Sequence, residues 1–328
     1  MGRIALRLMI VLACLTGCSK PEEGISEIDF LDSQFFMVNS DSVLVTSNGT
    51  YLNIKMDAIV DSLSLKSNSI SLEVIEIASV DQLIKSGMGT LTDEGKILSS
   101  SGMMKIIIRN NSNQTLYLES EKSIEVFWPK ENPDPQMKLF NEEIIEDRMV
   151  WASPAPLEII GANSINEDDE EGIDFDVAIP ETNIPETNIT AGFFQYLDSI
   201  DENMKGYFFE YSGSFINLDK YYDPSNYEPV EMIVNVKGAR DYAFVFLTIP
   251  NDMVQISLVK TGAAEFSLLG SDKERFDLPI GEKVFIHSKS KKNGILYFGF
   301  KEVKIERNMT EVLFLEPLRE GQELAIKQ

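Results

Sequence analysis

Apolar and polar residues alternate with a period of two over much of the chain, which is the pattern of strands with one buried face. Residues 42–46 and 51–54 alternate on either side of Ser47-Asn48-Gly49, a tight-turn sequence, so they predict a β-hairpin. Lys292-Asn293-Gly294 has the residues of a type I′ turn and predicts a second hairpin. Short strands separated by turn residues therefore predict an all-β protein.

A few segments depart from this alternation. Residues 69–77 change phase by one position, which predicts a β-bulge within the strand. Ser79-Val80-Asp81-Gln82 has the form of a capping box and predicts a short helix. Pro317 predicts a short terminal helix that carries Leu318 and Leu324. The pattern predicts no helices long enough for parallel crossovers, so we expect two antiparallel β-sandwiches.

The composition changes in the middle of the chain. An acidic run at residues 167–171 is followed by two copies of Ile-Pro-Glu-Thr-Asn, which start at Ile179 and Ile184. Proline with acidic neighbours favours an extended, solvated segment, so this region predicts a domain linker. The predicted organisation is a signal peptide at 1–17, a tether at 18–40, a first β-sandwich at 41–152, an acidic, proline-containing linker at 153–191, and a second β-sandwich with a short C-terminal helix at 192–328.

The N-terminus has the parts of an export signal: a basic start with Arg3 and Arg7, an apolar run at 8–15, and small residues before the cleavage point. The apolar run is too short to span a bilayer. Leu15-Thr16-Gly17-Cys18 resembles a bacterial lipobox, and the resemblance implies that Cys18 receives a diacylglyceryl group and becomes the first mature residue. The alternative is an ordinary secretory signal followed by an incidental cysteine.

The residues after Cys18 bear on location. Residue 19 is Ser, whereas Asp at this position retains enterobacterial lipoproteins in the inner membrane, so the sequence resembles lipoproteins sorted to the outer membrane. Lys20, Glu22 and Glu23 are similar to signals that carry some lipoproteins to the cell surface. We therefore expect a lipid-anchored protein of the outer membrane, on its periplasmic face or on the cell surface.

Charge and cysteine content restrict the classes of function. Cleavage before Cys18 removes Cys14, so the mature chain has one cysteine and forms no internal disulfide. Removing Arg3 and Arg7 from the 29 basic residues leaves 27 against 53 acidic residues, a net charge of −26. This charge disfavours nucleic acid, whose phosphates require basic residues, and keeps the protein body away from anionic lipid. The acyl chains are therefore expected to hold the protein at the membrane.

The runs Gly49–Ile54, Asp57-Ala58 and Ser71–Glu76, all in the first predicted domain at 41–152, resemble the ZU-type β-sandwich of ankyrins and netrin receptors. Four further runs make this domain more similar to uncharacterised bacterial outer-membrane lipoproteins built on that module: Thr92–Leu98, Ser101-Gly102-Met103, Trp128-Pro129 and Val150-Trp151. Gly213–Asp219 is similar to a segment in the second domain of those lipoproteins. Lys55 departs from the module, which usually has proline there, and Phe215 replaces a tryptophan. The resemblance implies a fold and no catalytic residue.

Two patterns raise the question of metal binding or catalysis. His287 is the only histidine, which excludes a histidine-rich metal site within one chain, and no nucleophile-elbow sequence accompanies it. We interpret it as an ordinary side chain near a strand end. The acidic run at residues 167–171 offers carboxylates to Ca²⁺, but Ala178 stands where an EF-hand has its bidentate Glu. We therefore expect a solvated loop, with no metal, no cofactor and no catalytic residue.

Two further patterns concern covalent chemistry. Glu265-Phe266-Ser267 resembles the self-cleavage sequence of some ZU relatives, but Glu265 replaces the histidine that precedes it there, so we expect no autoproteolysis. Three Asp-Ser-aliphatic triplets resemble acceptor sequences for bacterial O-glycosylation, with chance occurrence as the alternative. These triplets start at Asp41, Asp61 and Asp198.

Aromatic residues are concentrated after residue 206. They are Tyr207, Phe208, Phe209, Tyr211, Phe215, Tyr221, Tyr222 and Tyr227. Such residues could stack on sugars or anchor a protein partner. Aromatic residues in alternating strands more often fill a core, and we favour that interpretation.

Together these patterns predict a lipid-anchored cell-envelope protein with a non-catalytic binding or scaffolding role. An envelope or extracellular protein or glycan is the expected partner. The alternative is a glycan-active hydrolase, which needs two carboxylates about 5 to 10 Å apart in one cleft. The chain contains 53 Asp and Glu residues, too many for the sequence to identify such a pair.

Overall fold

The computed structural model describes residues 32–145, 148–160, 188–201, 204–222, 227–238, 242–269 and 276–318. Strands dominate these residues and form four mainly antiparallel sheets, which confirms the all-β prediction. The sheets stack in pairs to make two sandwiches, and each sandwich has its own buried apolar core.

The first sandwich is built from strands β1 to β13. Their bounds are β1 (Ser33–Val38), β2 (Ser42–Val45), β3 (Tyr51–Ile54), β4 (Ile59–Val60), β5 (Ile70–Ile77), β6 (Leu98–Asn110), β7 (Thr115–Leu118), β8 (Ile124–Pro129), β9 (Lys138–Ile145), β10 (Arg148–Pro156), β11 (Glu158–Ile160), β12 (Gly206–Tyr211) and β13 (Ile216–Tyr221). One sheet has the order β1-β5-β6-β13-β9-β10, with β4 and β7 at its side, and the facing sheet has the order β11-β12-β8-β3-β2. The hairpin predicted around Ser47-Asn48-Gly49 is present as β2 and β3.

A tyrosine hydroxyl joins the two sheets of the first sandwich. Ile106 of β6 lies between the stretch that pairs with β13 and the stretch that pairs with β7. Tyr211 of β12 fills this gap, because its hydroxyl accepts a hydrogen bond from the Ile106 amide and donates one to the Ile106 carbonyl, both at 3.0 Å. Burial raises the pKa of Tyr211 to about 12, so the hydroxyl stays protonated.

Strand β5 is buried on both faces. Leu72 enters the sandwich core, whereas Ile77 packs on the other side with Leu83 of helix α1 (Val80–Ser86). The strand keeps one register with β1 and with β6 along its whole length. The predicted bulge is therefore wrong, and the phase change in the sequence reflects apolar residues on both faces.

Helix α1 forms as its capping box predicts. The Gln82 amide donates to Ser79 Oγ at 3.3 Å, and the Ala78 amide donates to Gln82 Oε1 at 2.8 Å. The helix ends at Gly87, whose φ of 71° lies in the left-handed region that glycine adopts without strain.

The acidic, proline-containing region interrupts the first sandwich. Strands β11 and β12, which lie on either side of it, pair with each other, and β12 also pairs with β8. Strand β13 pairs with β6 and β9. Residues 206–221 thus belong to the first sandwich, although the predicted second sandwich started at residue 192. The change in composition marks a long connection between two neighbouring strands.

Two other predicted boundaries also shift. Strand β1 pairs with β5, which places residues 33–38 in the first sandwich although the predicted tether ran from 18 to 40. Helix α2 (Asn188–Ile200) lies partly in the predicted linker, and its Phe193 and Leu197 pack on aromatic residues of the sheet β11-β12-β8-β3-β2. The signal peptide at 1–17 and residues 161–187 lie outside the described residues.

The second sandwich is built from strands β14 to β23. Their bounds are β14 (Tyr227–Lys237), β15 (Tyr242–Ile249), β16 (Val254–Ser257), β17 (Val259–Lys260), β18 (Glu265–Ser267), β19 (Phe276–Pro279), β20 (Lys283–Lys292), β21 (Ile295–Lys304), β22 (Asn308–Phe314) and β23 (Glu316–Pro317). One sheet has the order β17-β18-β14-β19, with β22 parallel to β14, and the facing sheet has the order β16-β15-β20-β21-β23.

The ends of β20 and β21 confirm one turn prediction. Asn293 and Gly294 have φ values of 51° and 78°, and two positive φ angles are what a type I′ turn requires. Pro317, in contrast, pairs with Tyr297 as part of β23, so the predicted helix does not start there. Residues 319–328 lie outside the described residues.

Residues 79–99 join the two sandwiches, and we call them the docking segment. The Thr90 amide donates to the Gln255 carbonyl at 2.7 Å, and the Gln255 amide donates to Thr90 Oγ1 at 2.9 Å. Leu91 and Ile97 pack against the core of the second sandwich. Thr90 and Gln255 are both fully buried, so the sandwiches meet through a dry interface.

Candidate functional site

Three polar side chains lie side by side on the outer face of the sheet that contains β3, β8 and β12. Asn53 and Glu210 each pair directly with Glu125 in the strand register. Successive side chains of a strand point to opposite faces, so neighbours such as Val126 enter the core while these three point away from it. Strand pairing alone therefore assembles the row.

Glu125 is the buried acid of this row. It is 7% exposed, and its Oε2 atom accepts a hydrogen bond from Asn53 Nδ2 at 2.5 Å. Across the part of the chain that the structure describes, Glu125 forms no ion pair with a basic side chain. A carboxylate that is held only by one neutral amide can accept further hydrogen bonds from a ligand.

A pocket of about 180 Å³ opens over the row. Its remaining wall consists of Lys55, Asp57, Ala58, Glu121, Lys122 and Ser123. The lining thus contains four carboxylates and two ammonium groups, and one of these, Lys55, also lies 3.9 Å from Asp41. This chemistry suits a small polar ligand with hydroxyl or amino groups.

Glu125 and Glu210 lie directly opposite each other on neighbouring strands. Directly opposite residues of antiparallel strands have Cβ atoms about 4.5–5.5 Å apart. The two residues differ in environment, because Glu210 is exposed and Glu125 is buried. The pocket is smaller than the usual ligand site of about 300–1,000 Å³, so it fits one sugar-sized group.

The sequence carries a local signal for this row. Each member is a single polar residue between apolar neighbours, in Leu52-Asn53-Ile54, Ile124-Glu125-Val126 and Phe209-Glu210-Tyr211. This pattern predicts that each side chain points outward. Strand order decides which of the outward-pointing residues share a pocket. Strand β12 lies beside β8, but in the sequence it follows the long connection after β11.

His287 lies in the middle of β20 rather than near a strand end, so its predicted position is wrong. It is fully buried beside the docking segment, with Nε2 2.9 Å from Gln255 Oε1 and 3.0 Å from Thr248 Oγ1. Burial, and secondly the Lys289 ammonium, hold the pKa of His287 well below its usual value. The imidazole is therefore a neutral part of the interface between the sandwiches.

Asp219 of β13 is a second fully buried ionisable group. Its Oδ2 atom accepts a hydrogen bond from Asn217 Nδ2 at 2.5 Å, and Asn217 Oδ1 accepts one from Ser100 Oγ at 2.8 Å. Its Oδ1 atom has no partner among the described residues. Burial raises the pKa of Asp219 well above its usual value, which favours the protonated acid.

The core interpretation of the aromatic residues is confirmed for most of them. Those that are buried are Tyr207, Phe208, Phe209, Tyr211 and Phe215. Tyr221 is 40% exposed and meets Phe140 edge-on, at 5.8 Å between ring centroids. Tyr222 is half-buried, and the side chain of Tyr227 lies outside the description.

The remaining sequence candidates do not converge on this pocket. Glu265-Phe266-Ser267 forms β18, with Phe266 in the second core. Of the Asp-Ser-aliphatic triplets, the one at Asp61 forms an exposed turn in which the Asp61 carboxylate accepts the Leu63 amide at 2.8 Å. Cys18 and the acidic run at residues 167–171 lie outside the described residues.

Comparisons with known proteins add little to this geometry. No family model matches the chain, and no curated protein matches it. A solved structure with a weak likeness is gamma-CGTase from alkalophilic Bacillus clarkii, with a TM-score of 0.19 and 6% identity over 87% of this chain and 42% of that chain. The chain thus spans less than half the length of that protein, and a likeness of this size supports no shared function.

The lengths of the helices and the grouping of the side chains bear on membrane and metal contacts of the described residues. Neither α1 nor α2 is long and apolar enough to cross a bilayer. Within the described ranges, no three side chains of His, Cys, Asp or Glu are grouped so that they could hold a metal ion.

Proposed function

We propose that the protein is a lipid-anchored protein of the bacterial cell envelope with a non-catalytic binding or scaffolding role. The observation that carries this proposal is Leu15-Thr16-Gly17-Cys18, directly after a short basic and apolar N-terminal segment. Acyl chains on Cys18 would each contribute about 0.8 kcal/mol of membrane binding per buried CH₂. Strand β1 starts at Ser33, so a connection of about 15 residues holds the first sandwich within roughly 50 Å of the membrane.

The junction supports the scaffolding part of this role. Paired hydrogen bonds between Thr90 and Gln255, together with the packing of Leu91 and Ile97, fix one sandwich on the other. A rigid pair of domains sets the distance between a partner and the membrane. The pocket over Glu125 supports the binding part, because it is a polar site that a ligand can enter.

Lipid attachment is tested with Cys18→Ala, and Cys14→Ala is the matched control because it changes the cysteine inside the predicted signal. In cells supplied with a labelled fatty acid, we expect the unmodified protein and Cys14→Ala to take up label and to fractionate with the outer membrane. Cys18→Ala should do neither. Unchanged labelling of Cys18→Ala would contradict the anchor, and protease treatment of intact cells would distinguish the surface from the periplasmic face.

The second candidate function is hydrolysis of an envelope glycan. It is favoured by the cross-strand pair of Glu125 and Glu210 in one pocket. In such a reaction one of the two carboxyl groups would donate a proton to the leaving group, and the other would act as the base or the nucleophile.

The hydrolase is tested with Glu125→Gln and Glu210→Gln, and Glu158→Gln is the control because Glu158 is exposed on β11 of the same sheet. A hydrolase would release reducing ends from peptidoglycan or outer-membrane polysaccharide, and the pocket variants would lose about 10²-fold or more of that rate. Binding of a glycan without release of sugar would exclude hydrolysis and support the binding role.

A further inference from the structure

The docking segment reaches His287 through one glutamine side chain. Gln255 Nε2 donates to the Met88 carbonyl at 2.8 Å and to the Leu83 carbonyl at 3.2 Å, and both carbonyls belong to the docking segment. The other end of the same amide, Oε1, lies 2.9 Å from His287 Nε2 and 2.9 Å from Thr248 Oγ1. Gln255 thus connects the imidazole to the backbone of the first sandwich.

These contacts determine the tautomer of His287. Because the Gln255 amide nitrogen is engaged with two carbonyls, its partner at His287 is the amide oxygen, which accepts. His287 Nε2 must therefore carry the hydrogen, and Nδ1 must be bare. Nδ1 is buried and has no partner among the described residues.

The surroundings of the imidazole leave no place for a second proton. Phe246 stacks on the ring with centroids 5.2 Å apart, and the ring of Phe298 is tilted against it with centroids 6.4 Å apart. An imidazolium here would bury an N–H donor without an acceptor, inside an apolar wall.

The nearby charged groups do not compensate such a cation. On β20 itself, Lys289 repels it and donates through Nζ to the Lys85 carbonyl of the docking segment. Strands β15 and β16 contain no charged residue, and on α1 the Asp81 and Lys85 side chains pair with each other at 2.8 Å.

The charged groups on elements further from His287 do not stabilise an imidazolium either. On β21, Lys301 pairs with Glu311, and Glu302 pairs with Lys283 at 2.9 Å. Asp252, in the turn before β16, offers its backbone carbonyl to Ser99 Oγ at 3.0 Å. Desolvation and Lys289 are accordingly the causes that lower the pKa of His287.

We propose that His287 is an acid-sensitive latch, whose protonation releases the docking segment from the second sandwich. A proton on Nδ1 requires solvent, and solvent reaches this atom only if Phe246 and the docking segment move. Opening frees the imidazole to bind a proton near pH 6.5, the ordinary pKa of a histidine in an unfolded chain. Docking is therefore complete above that pH and weakens as the pH falls below it.

Hydrogen exchange on the full chain tests the latch. The Thr90 and Gln255 amides bond across the junction, whereas the Ile106 amide bonds to Tyr211 within the first sandwich and serves as the internal control. After correction for intrinsic rates, we expect exchange at the two junction amides to accelerate about tenfold or more between about pH 7.5 and pH 5, and exchange at Ile106 to change far less.

Two comparisons keep the test decisive. His287→Gln replaces the only histidine with a neutral amide, so its junction amides should show no acid acceleration. If that variant fails to fold, nitrogen NMR of the unmodified protein labelled at histidine reports on one imidazole, with one signal for each of its two ring nitrogens. The latch predicts the Nε2–H tautomer at neutral pH, with protonation and junction exchange rising together. An imidazolium beside slow junction amides, or equal acid acceleration in His287→Gln, would overturn it.

Discussion

The pocket at Glu125 and the junction at His287 both have polar side chains on the outer face of a sheet. The two regions differ in how far the hydrogen bonds of these side chains are satisfied within the protein. At the junction, Gln255 uses both ends of its amide, with two backbone carbonyls as acceptors at one end and His287 as a donor at the other. In the pocket, Glu125 has one amide partner, Asn53, and faces about 180 Å³ of open space. The first arrangement is complete without a ligand, and the second is not.

The two regions also differ in charge. The central side chains of the junction, Thr90, Thr248, Gln255 and His287, are neutral and fully buried, and the Lys289 ammonium beside them donates to the Lys85 carbonyl. The pocket combines carboxylates with two lysines and is open to solvent on one side. An unpaired charge is costly in a dry site and tolerable beside water. The junction therefore suits packing that stays closed while His287 is neutral, whereas the pocket suits exchange with a ligand.

The largest effect is expected when the junction loses its central amide. Gln255→Met keeps the length of the side chain but removes the donor to the Met88 carbonyl and the acceptor of the Thr248 hydroxyl, whereas the Leu83 carbonyl keeps its hydrogen bond from Ser86 Oγ at 2.7 Å. Each buried polar group left unpaired costs about 1–3 kcal/mol, so the free energy of unfolding should fall by about 3 kcal/mol or more. Denaturant unfolding measures it, with Gln195→Met, exposed on α2, as the control. A loss below about 1 kcal/mol would show that water replaces the amide at the junction.

A smaller effect on the free energy of unfolding is expected at Asp219, an acid that lies in a dry site. In the unfolded chain this carboxyl ionises near its ordinary pKa of 3.8, whereas in the folded protein burial raises its pKa well above that value. The folded state thus binds the proton more tightly, and stability is lost as the pH rises above about 4, by up to about 1.4 kcal/mol per pH unit.

Asp219→Asn removes this titration and keeps the shape of the side chain. Relative to the unmodified protein, the variant should be more stable at about pH 7.5, by about 1 kcal/mol or more, and should lose that advantage at about pH 4. Thermal or denaturant unfolding at both values measures the difference. A parallel pH response of Asp219→Asn and the unmodified protein would contradict the assignment.

Local patterns predicted the parts of the fold that depend on a few consecutive residues. The I′ turn at Asn293-Gly294, the capping box at Ser79 and the hairpin of β2 and β3 all formed as expected. Each depends on backbone angles or caps that its own residues favour. The bulge predicted in residues 69–77 failed for a related reason, because periodicity cannot distinguish a bulge from a strand that is covered on both faces.

Long-range pairing was not predictable in this way. Strands β12 and β13 pair with strands of the first sandwich that are about 80 to 120 residues away in the sequence. The composition change at 153–191 predicted instead that β12 and β13 belong to the second sandwich. The pocket row and the burial of His287 follow from the same pairings. Sequence patterning placed Asn53, Glu125 and Glu210 on outward faces, but only strand order places them together.

The smallest effect is expected in the pocket. Glu125→Gln keeps an oxygen that can accept from Asn53 Nδ2 and removes the negative charge opposite Glu210. Like charges directly opposite each other in a sheet destabilise it by about 0.2–1 kcal/mol, so the variant should be slightly more stable than the unmodified protein at low salt. High salt should reduce this gain, because screening weakens the repulsion in the unmodified protein.

Glu158→Gln is the matched control, because Glu158 lies on the same sheet opposite Phe208, where no like charge faces it. Its stability should stay within about 0.5 kcal/mol of the unmodified protein at either salt concentration. A clear loss of stability in Glu125→Gln would mean that the ionised carboxylate is part of the sheet's structure, as the Gln255 amide is part of the junction. A gain would mean that the fold tolerates an unfavourable charge at this position, which is the behaviour of a residue retained for a ligand.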